Sequence, residues 1–171
     1  MTLSTGSLLR RHSPLADPRE QVQLLAKSEF IPEFSNHLER KGLPELSAAG
    51  IDVLQVNVGK VCNQTCHHCH VDAGPDRTES MTKATAEACL RVLEREKIPK
   101  FDITGGAPEL NPHFRWMVTE ATRIGAHVMD RCNLTVLTVT GQEDLARFLA
   151  RNKVEVICSL PYYQERETDR Q

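Results

Sequence analysis

Three cysteines fall within eight residues, Cys62-x-x-x-Cys66-x-x-Cys69, and His67, His68 and His70 are interleaved with them. Thiols gathered this densely on one short stretch form a ligand pattern rather than a scatter of core cysteines. Two chemistries fit it. Iron–sulfur clusters are held by cysteine thiolates, and three cysteines on a four-iron cubane leave one iron free to bind a small molecule directly. A zinc ion would instead take Cys62, Cys66 and Cys69 with His70 as a closed Cys3His set. Spacing alone leaves both open, so the elements that position the loop have to separate them.

Those elements alternate. Ile51 to Val58 is β-branched and mostly apolar, a strand by pattern, and Gly59 to Asp76 is a loop dense in Cys, His, Gly and Pro. A helix is expected from Ser80 to about Lys97, a short strand over Phe101–Thr104, and the turn Gly105-Gly106-Ala107-Pro108. Asn111 with Pro112 opens the next helix, which runs to about Ile124 with Gly125 as its cap. Ala126–Cys132 reads as a third strand, Leu134–Thr140 as strand or extended loop, Gln142–Asn152 as helix and Val154–Cys158 as a fourth strand. Before all this, residues 1–25 read as a loose polar arm and Phe30–Leu43 as a short amphipathic helix, so residues 1–50 are set apart from a core domain over 51–171. Four strand–helix alternations argue an α/β fold on a parallel sheet. Ligands in such sheets sit at the carboxyl ends of the strands. The cysteine loop follows the first strand and the Gly-Gly-Ala-Pro turn the second, so both belong at one mouth.

Bulk properties narrow the classes. The chain has 171 residues, 40% hydrophobic and 26% charged, which implies a packed core rather than disorder. Lys and Arg total 21 against 23 Asp and Glu, a net charge of −2, so there is no electrostatic reason to expect nucleic acid or an anionic membrane as partner. No apolar run approaches the ~18 residues of a membrane span. Arg10 and Arg11 are not followed by an apolar export segment, and Cys89, Cys132 and Cys158 are dispersed singly, which argues for reduced thiols and the cytoplasm.

At this point the sequence resembles a family. A CxxxCxxC loop after a first strand, with a Gly-Gly-Ala-Pro turn after the second, is similar to the radical SAM enzymes. More narrowly, Leu54–Asn57, Cys62–Pro75, Gly105–Phe114, Arg131-Cys132-Asn133-Leu134-Thr135 and Ser159-Leu160-Pro161 resemble the arsenosugar-biosynthesis radical SAM proteins, over residues from about 45 to 163. Tyr162 stands where that pattern carries a cysteine, and Ala107 where the superfamily turn carries glutamate.

The resemblance implies an incomplete (β/α)6 partial barrel with about four βα units present. It implies a 4Fe–4S cluster on Cys62, Cys66 and Cys69, with S-adenosylmethionine on the open iron. His68 would lie near the adenine, Gly105, Gly106, Ala107 and Pro108 would meet the methionine amino group through their backbone, and Asn133 and Ser159 would touch methionine or ribose. It implies reductive cleavage of S-adenosylmethionine, a trivalent methylated arsenical as substrate, and an electron donor such as a ferredoxin or flavodoxin. Another radical SAM reaction, such as peptide modification, and a zinc-stapled binding module are the alternatives.

Other residues divide between chemistry and structure. His67 and His70 suit loop hydrogen bonding or a substrate contact, and Glu109 a ligand contact or a helix cap. Cys132 and Cys158 suit a soft thiol pair for arsenic or small buried core residues, and Cys89 the core. Phe114 and Trp116 should pack their helix on the sheet. Six strand–helix repeats are implied by the resemblance, so the chain is expected to be truncated, with an open sheet edge and low activity and solubility by itself.

Overall fold

The computed structural model describes residues 7–27 and 34–159. Four strands, β1 (Val53–Asn57), β2 (Lys100–Thr104), β3 (His127–Cys132) and β4 (Glu155–Cys158), form one sheet in the order β1-β2-β3-β4. Every pairing is parallel, with Val53 opposite Lys100, Lys100 opposite His127 and Met129 opposite Glu155. Parallel neighbours need a crossover between them, and α3 (Lys83–Arg95), α4 (Phe114–Ile124) and α5 (Leu145–Arg151) supply it.

The helices form where the expected signals fall, with trimmed ends. Thr82, not Ser80, caps α3, its hydroxyl accepting from the Thr85 N–H. Gly125 closes α4 in the left-handed conformation at φ 95°. Buried residues recur at i, i+4, i+7 on α3 (Ala86, Leu90, Leu93) and at i, i+3, i+4, i+7 on α4 (Phe114, Met117, Val118, Ala121). These stripes join Val56, Phe101, Ile103 and Val128 in one apolar core. Phe114 is fully buried there, whereas Trp116 is only partly buried, its ring 5.3 Å from the Lys83 Nζ of α3.

Alternation sends the other strand residues to the opposite face. There Gln55, Asp102 and Arg131 meet across β1, β2 and β3. Gln55 Nε2 donates to Asp102 Oδ2 at 2.6 Å, and Arg131 Nε and Nη2 donate to the same carboxylate at 2.9–3.1 Å.

Three expectations are corrected. The described part of the N-terminal stretch is not a loose arm: a 3-10 turn over Pro14–Ala16 leads into α1 (Pro18–Ala26), capped by the Asp17 carboxylate with Pro18 at the first position. The next helix, α2 (Phe34–Arg40), ends at Arg40 rather than Leu43, and Phe30 and Ile31 lie outside the described residues. Leu134–Thr140 is neither strand nor extended: Thr135–Thr138 is a 3-10 turn, entered through Leu134 at φ 60° and held by Asn133, whose Oδ1 accepts from the Val136 N–H at 3.0 Å. Leu160, Pro161, Tyr162 and the charged tail lie outside the described residues. Among the described residues no helix is long and apolar enough to cross a membrane.

Candidate functional site

The cysteine loop leaves the carboxyl end of β1 and is pinned on both legs. Cys62 N–H donates to the Gly74 carbonyl at 3.2 Å, Gly74 N–H to Lys60 at 3.0 Å, Lys60 N–H to Glu79 at 2.9 Å and Met81 N–H to Val58 at 2.8 Å. Arg77 is the buried clasp of the returning leg. Its guanidinium pairs with Asp72 at 2.7 Å and forks onto the Glu79 carboxylate. That fork holds the Glu79 carboxyl well below its usual range, at about 2. The N-terminal segment docks on the same loop: Leu8 N–H donates to Asp72 Oδ1 at 2.6 Å and Ser7 Oγ to Asp76 Oδ2 at 2.5 Å.

Cys62 is 8% exposed, and Cys66 and Cys69 are half-buried. Donors already face two of the sulfurs. Gln64 N–H lies 3.4 Å and Asn133 Nδ2 3.6 Å from Cys62 Sγ, and Ala73 N–H lies 3.2 Å from Cys69 Sγ. Burial pushes the Cys62 thiol up, against the pull of Gln64 and Asn133. Burial also raises Cys66, and the neighbouring Cys62 and Cys69 raise it further. Thiols that hinder one another's ionisation need a positive centre among them to become ligands.

Sulfurs around a tetrahedral zinc lie about 3.8 Å apart. Among the described residues the group of three or more potential ligands that closes to within 4.8 Å is Glu109, Asp130 and Cys132, not Cys62, Cys66, Cys69 and His70. The three loop thiols, two of them with N–H donors to sulfur, are a donor set of the kind that holds a cluster.

The Gly-Gly-Ala-Pro turn packs directly on the start of this loop. Gly106 N–H donates to Gly59 at 3.0 Å and Ala107 N–H to Val61 at 2.9 Å. A Cβ on Gly106 would stand 2.4 Å from the Val61 carbonyl oxygen and 3.0 Å from Cys62 Cβ. Gly105 has φ 154°, and its Cβ would meet the Gly59 oxygen at 2.8 Å. Here glycine is required by close approach as well as by backbone angle. Ala107 and Pro108 are buried behind the pair. Asn111 ties the assembly together, its Nδ2 donating to Val58 O and Ser80 Oγ at 3.0 Å and to Met81 O at 3.2 Å.

The remaining residues separate clearly. Asn133 is brought to the loop, donating to Asn63 at 2.9 Å as well as to Cys62, and its Oδ1 also caps the 3-10 turn. His67, His68 and His70 are exposed on the loop. Ser159 follows β4, exposed, with its N–H donating to Cys132 O at 3.3 Å. Cys132 and Cys158 are register partners and so share a sheet face, the one that carries the helices. Cys132 is buried and Cys158 exposed.

Glu109 does not cap α4, since the Asn111 carbonyl Oδ1 accepts from His113 N–H instead. Its carboxylate is buried against Asp130 and Cys132. Burial, then the Glu109 charge, raises the Asp130 carboxyl, and burial with Glu109 raises the Cys132 thiol strongly. Sequence reasoning missed Arg77, Asn111 and the Gln55–Asp102–Arg131 network. The partners of Asn111 and of the strand network are distant in sequence, whereas those of Arg77 lie two and five residues away and read there as ordinary loop charges; the signal for the network was polar residues inside otherwise apolar strands.

A parallel βα sheet with a three-cysteine loop at its first strand end, met by a glycine turn from the second, defines the class. The Radical SAM superfamily profile matches residues 56–166, more than half of the chain, and the chain belongs to that superfamily of enzymes. A curated relative, "Probable GTP 3',8-cyclase" of Pyrococcus horikoshii, is 35% identical over 57 residues, which cover 33% of this chain and 18% of that protein. The chain therefore matches less than a fifth of that relative's length.

Proposed function

We propose that this chain holds a 4Fe–4S cluster on Cys62, Cys66 and Cys69 and binds S-adenosylmethionine at the remaining iron. When bound, the cluster supplies the electron that splits S-adenosylmethionine into methionine and a 5′-deoxyadenosyl radical. The chain's own residues bind and orient. Gln64, Ala73 and Asn133 direct N–H groups at the ligand sulfurs, which favours thiolate over thiol. Gly105 to Pro108 offers backbone to the methionine amino group, His68 a ring to the adenine, and Asn133 and Ser159 polar contacts to methionine or ribose. The observation that carries the reading is the seating of Gly106 on Val61 and Cys62, which puts turn and loop at one mouth.

For the substrate we propose a trivalent methylated arsenical, converted by adenosyl transfer on the way to an arsenosugar. The resemblance of Cys62–Pro75, Gly105–Phe114 and Arg131–Thr135 supports this. The electron donor in that reading is a ferredoxin or flavodoxin, and the compartment the cytoplasm. The short match to a GTP 3',8-cyclase supports a second reading with GTP as substrate.

Anaerobic reconstitution with iron and sulfide tests the cluster: wild type should take up iron, and Cys66→Ala should not. A colourless chain carrying one zinc overturns the reading. Incubation with reductant, S-adenosylmethionine and dimethylarsinous acid should give an adenosylated arsenical. Free 5′-deoxyadenosine with no arsenic adduct overturns the substrate, and a cyclised product from GTP in the parallel reaction establishes the second reading.

A further inference from the structure

Behind the cysteine loop, on the helix-facing side of the sheet, three ligand-type side chains converge: Glu109, Asp130 and Cys132. Glu109 lies in the 3-10 turn Pro108–Leu110, and Asp130 and Cys132 are alternate residues of β3, so both point to the same face. Glu109 is 4% exposed, Asp130 0% and Cys132 1%. One ligand atom from each lies within 4.8 Å of the other two. Both carboxylate oxygens of Glu109 and both of Asp130 are buried with no hydrogen-bond donor from outside the group, and Glu109 lies within hydrogen-bonding reach of both Asp130 and Cys132. The charged groups acting on Asp130 are Glu109 and Asp102, and those on Cys132 are Glu109 and Asp130, so every one is acidic.

Buried carboxylates need a counter-charge or a proton. A proton shared between Glu109 and Asp130 is one way to meet this need, and a cation held by both carboxylates is the other. A single cation takes one oxygen of each carboxylate and the Cys132 sulfur together. We propose that Glu109, Asp130 and Cys132 form a second metal site, separate from the cysteine loop, that takes one divalent cation of the zinc class.

Two carboxylate oxygens and one thiolate are a borderline donor set, which suits zinc better than magnesium or calcium. Ligand atoms at zinc distances lie about 3.3–3.8 Å apart, a small contraction of the observed group. The Leu134 N–H, 3.3 Å from Cys132 Sγ, already supports the thiolate. Binding expels to solvent whatever protons the carboxyl and thiol groups carry, with no change of oxidation state. Three protein ligands leave the fourth zinc position to water.

The test uses the full chain, reconstituted anaerobically with iron and sulfide, exposed to zinc chloride and passed through gel filtration. Wild type should retain one zinc per chain beyond its cluster iron. Asp130→Asn and Glu109→Gln should each lose it by at least tenfold in affinity, with iron and sulfide contents unchanged. A chain with Cys62, Cys66 and Cys69 all replaced by alanine should still bind one cobalt with a thiolate-to-cobalt absorption, and Cys132→Ser in that background should abolish the absorption. Zinc should raise the melting temperature of wild type but not of Asp130→Asn, a comparison that serves even if one variant folds poorly. No zinc beyond the cluster, zinc retained equally by Asp130→Asn, or zinc lost with the loop cysteines alone would each overturn the proposal. Loss of cluster loading with this zinc intact would instead count against the proposed function alone.

Discussion

The two faces of the β1–β4 sheet are built from the same strands and serve opposite ends. On the helix side, Phe101, Ile103 and Val128 interlock with the stripes of α3 and α4, and this face supplies cohesion. On the other side Gln55, Asp102 and Arg131 form a polar relay across three strands, with Asp102 buried and Arg131 43% exposed in its side chain. Among the described residues no helix covers this face, and the Arg131 guanidinium is oriented at its surface by Asp102. Alternation thus gives the two faces different chemistry.

The sharpest test of this division is Phe101→Ala. It should cost about 3–5 kcal/mol, read as a fall in melting temperature, because the ring is wholly enclosed by apolar neighbours. A loss below 1 kcal/mol would show that the helix face is not the source of cohesion. At the rim where the faces meet the loop, Gly106→Ala places a methyl against backbone and should cost about 1–3 kcal/mol. Iron loading should fall with it, and normal loading would break the link between turn and loop.

On the open face, Arg131→Ala removes the fork from Asp102 and leaves Gln55 as its partner. It should cost about 1–2 kcal/mol while changing ligand affinity more than stability. If affinity is unmoved and only stability falls, that face is structural as well.

The smallest effect is in the loop clasp. Since the folded Glu79 carboxyl sits at about 2 against an ordinary 4.5, its contribution is complete above pH 4.5 and is lost as pH falls towards 2. With the Glu79 side chain 49% exposed, the loss should be under about 1 kcal/mol, and Glu79→Gln should flatten that stretch of an acid unfolding curve.

The sheet was legible because its helix side writes itself into local patterns: β-branched runs, apolar residues at helical spacing, and Gly125 where a left-handed cap is needed. The cysteine loop was legible for a similar reason, since three ligands within eight residues need no tertiary knowledge to connect. What escaped depends on how the chain folds around each residue. Asp102 is an acid inside an apolar strand, and only the pairing of β1, β2 and β3 reveals Gln55 and Arg131 beside it. Arg77 reads as a loop charge until Asp72 and Glu79 are folded around it. Asp17 with Pro18 is a good helix start, outweighed in the reading by the polar composition of its surroundings, and α1 follows from it.

The docking of Ser7 and Leu8 on Asp76 and Asp72 has a meaning in the time course of synthesis. The partners are 69 and 64 positions apart. At a chain growth of ~5–20 residues per second, the docking segment waits roughly 3–14 s for its partners. The cysteines of the loop are all made before Asp72 and Asp76, so the thiols emerge ahead of the contacts that fasten the N-terminal segment over their loop. Metal delivered during growth meets an unfastened loop, and metal delivered afterwards must reach one already tied down.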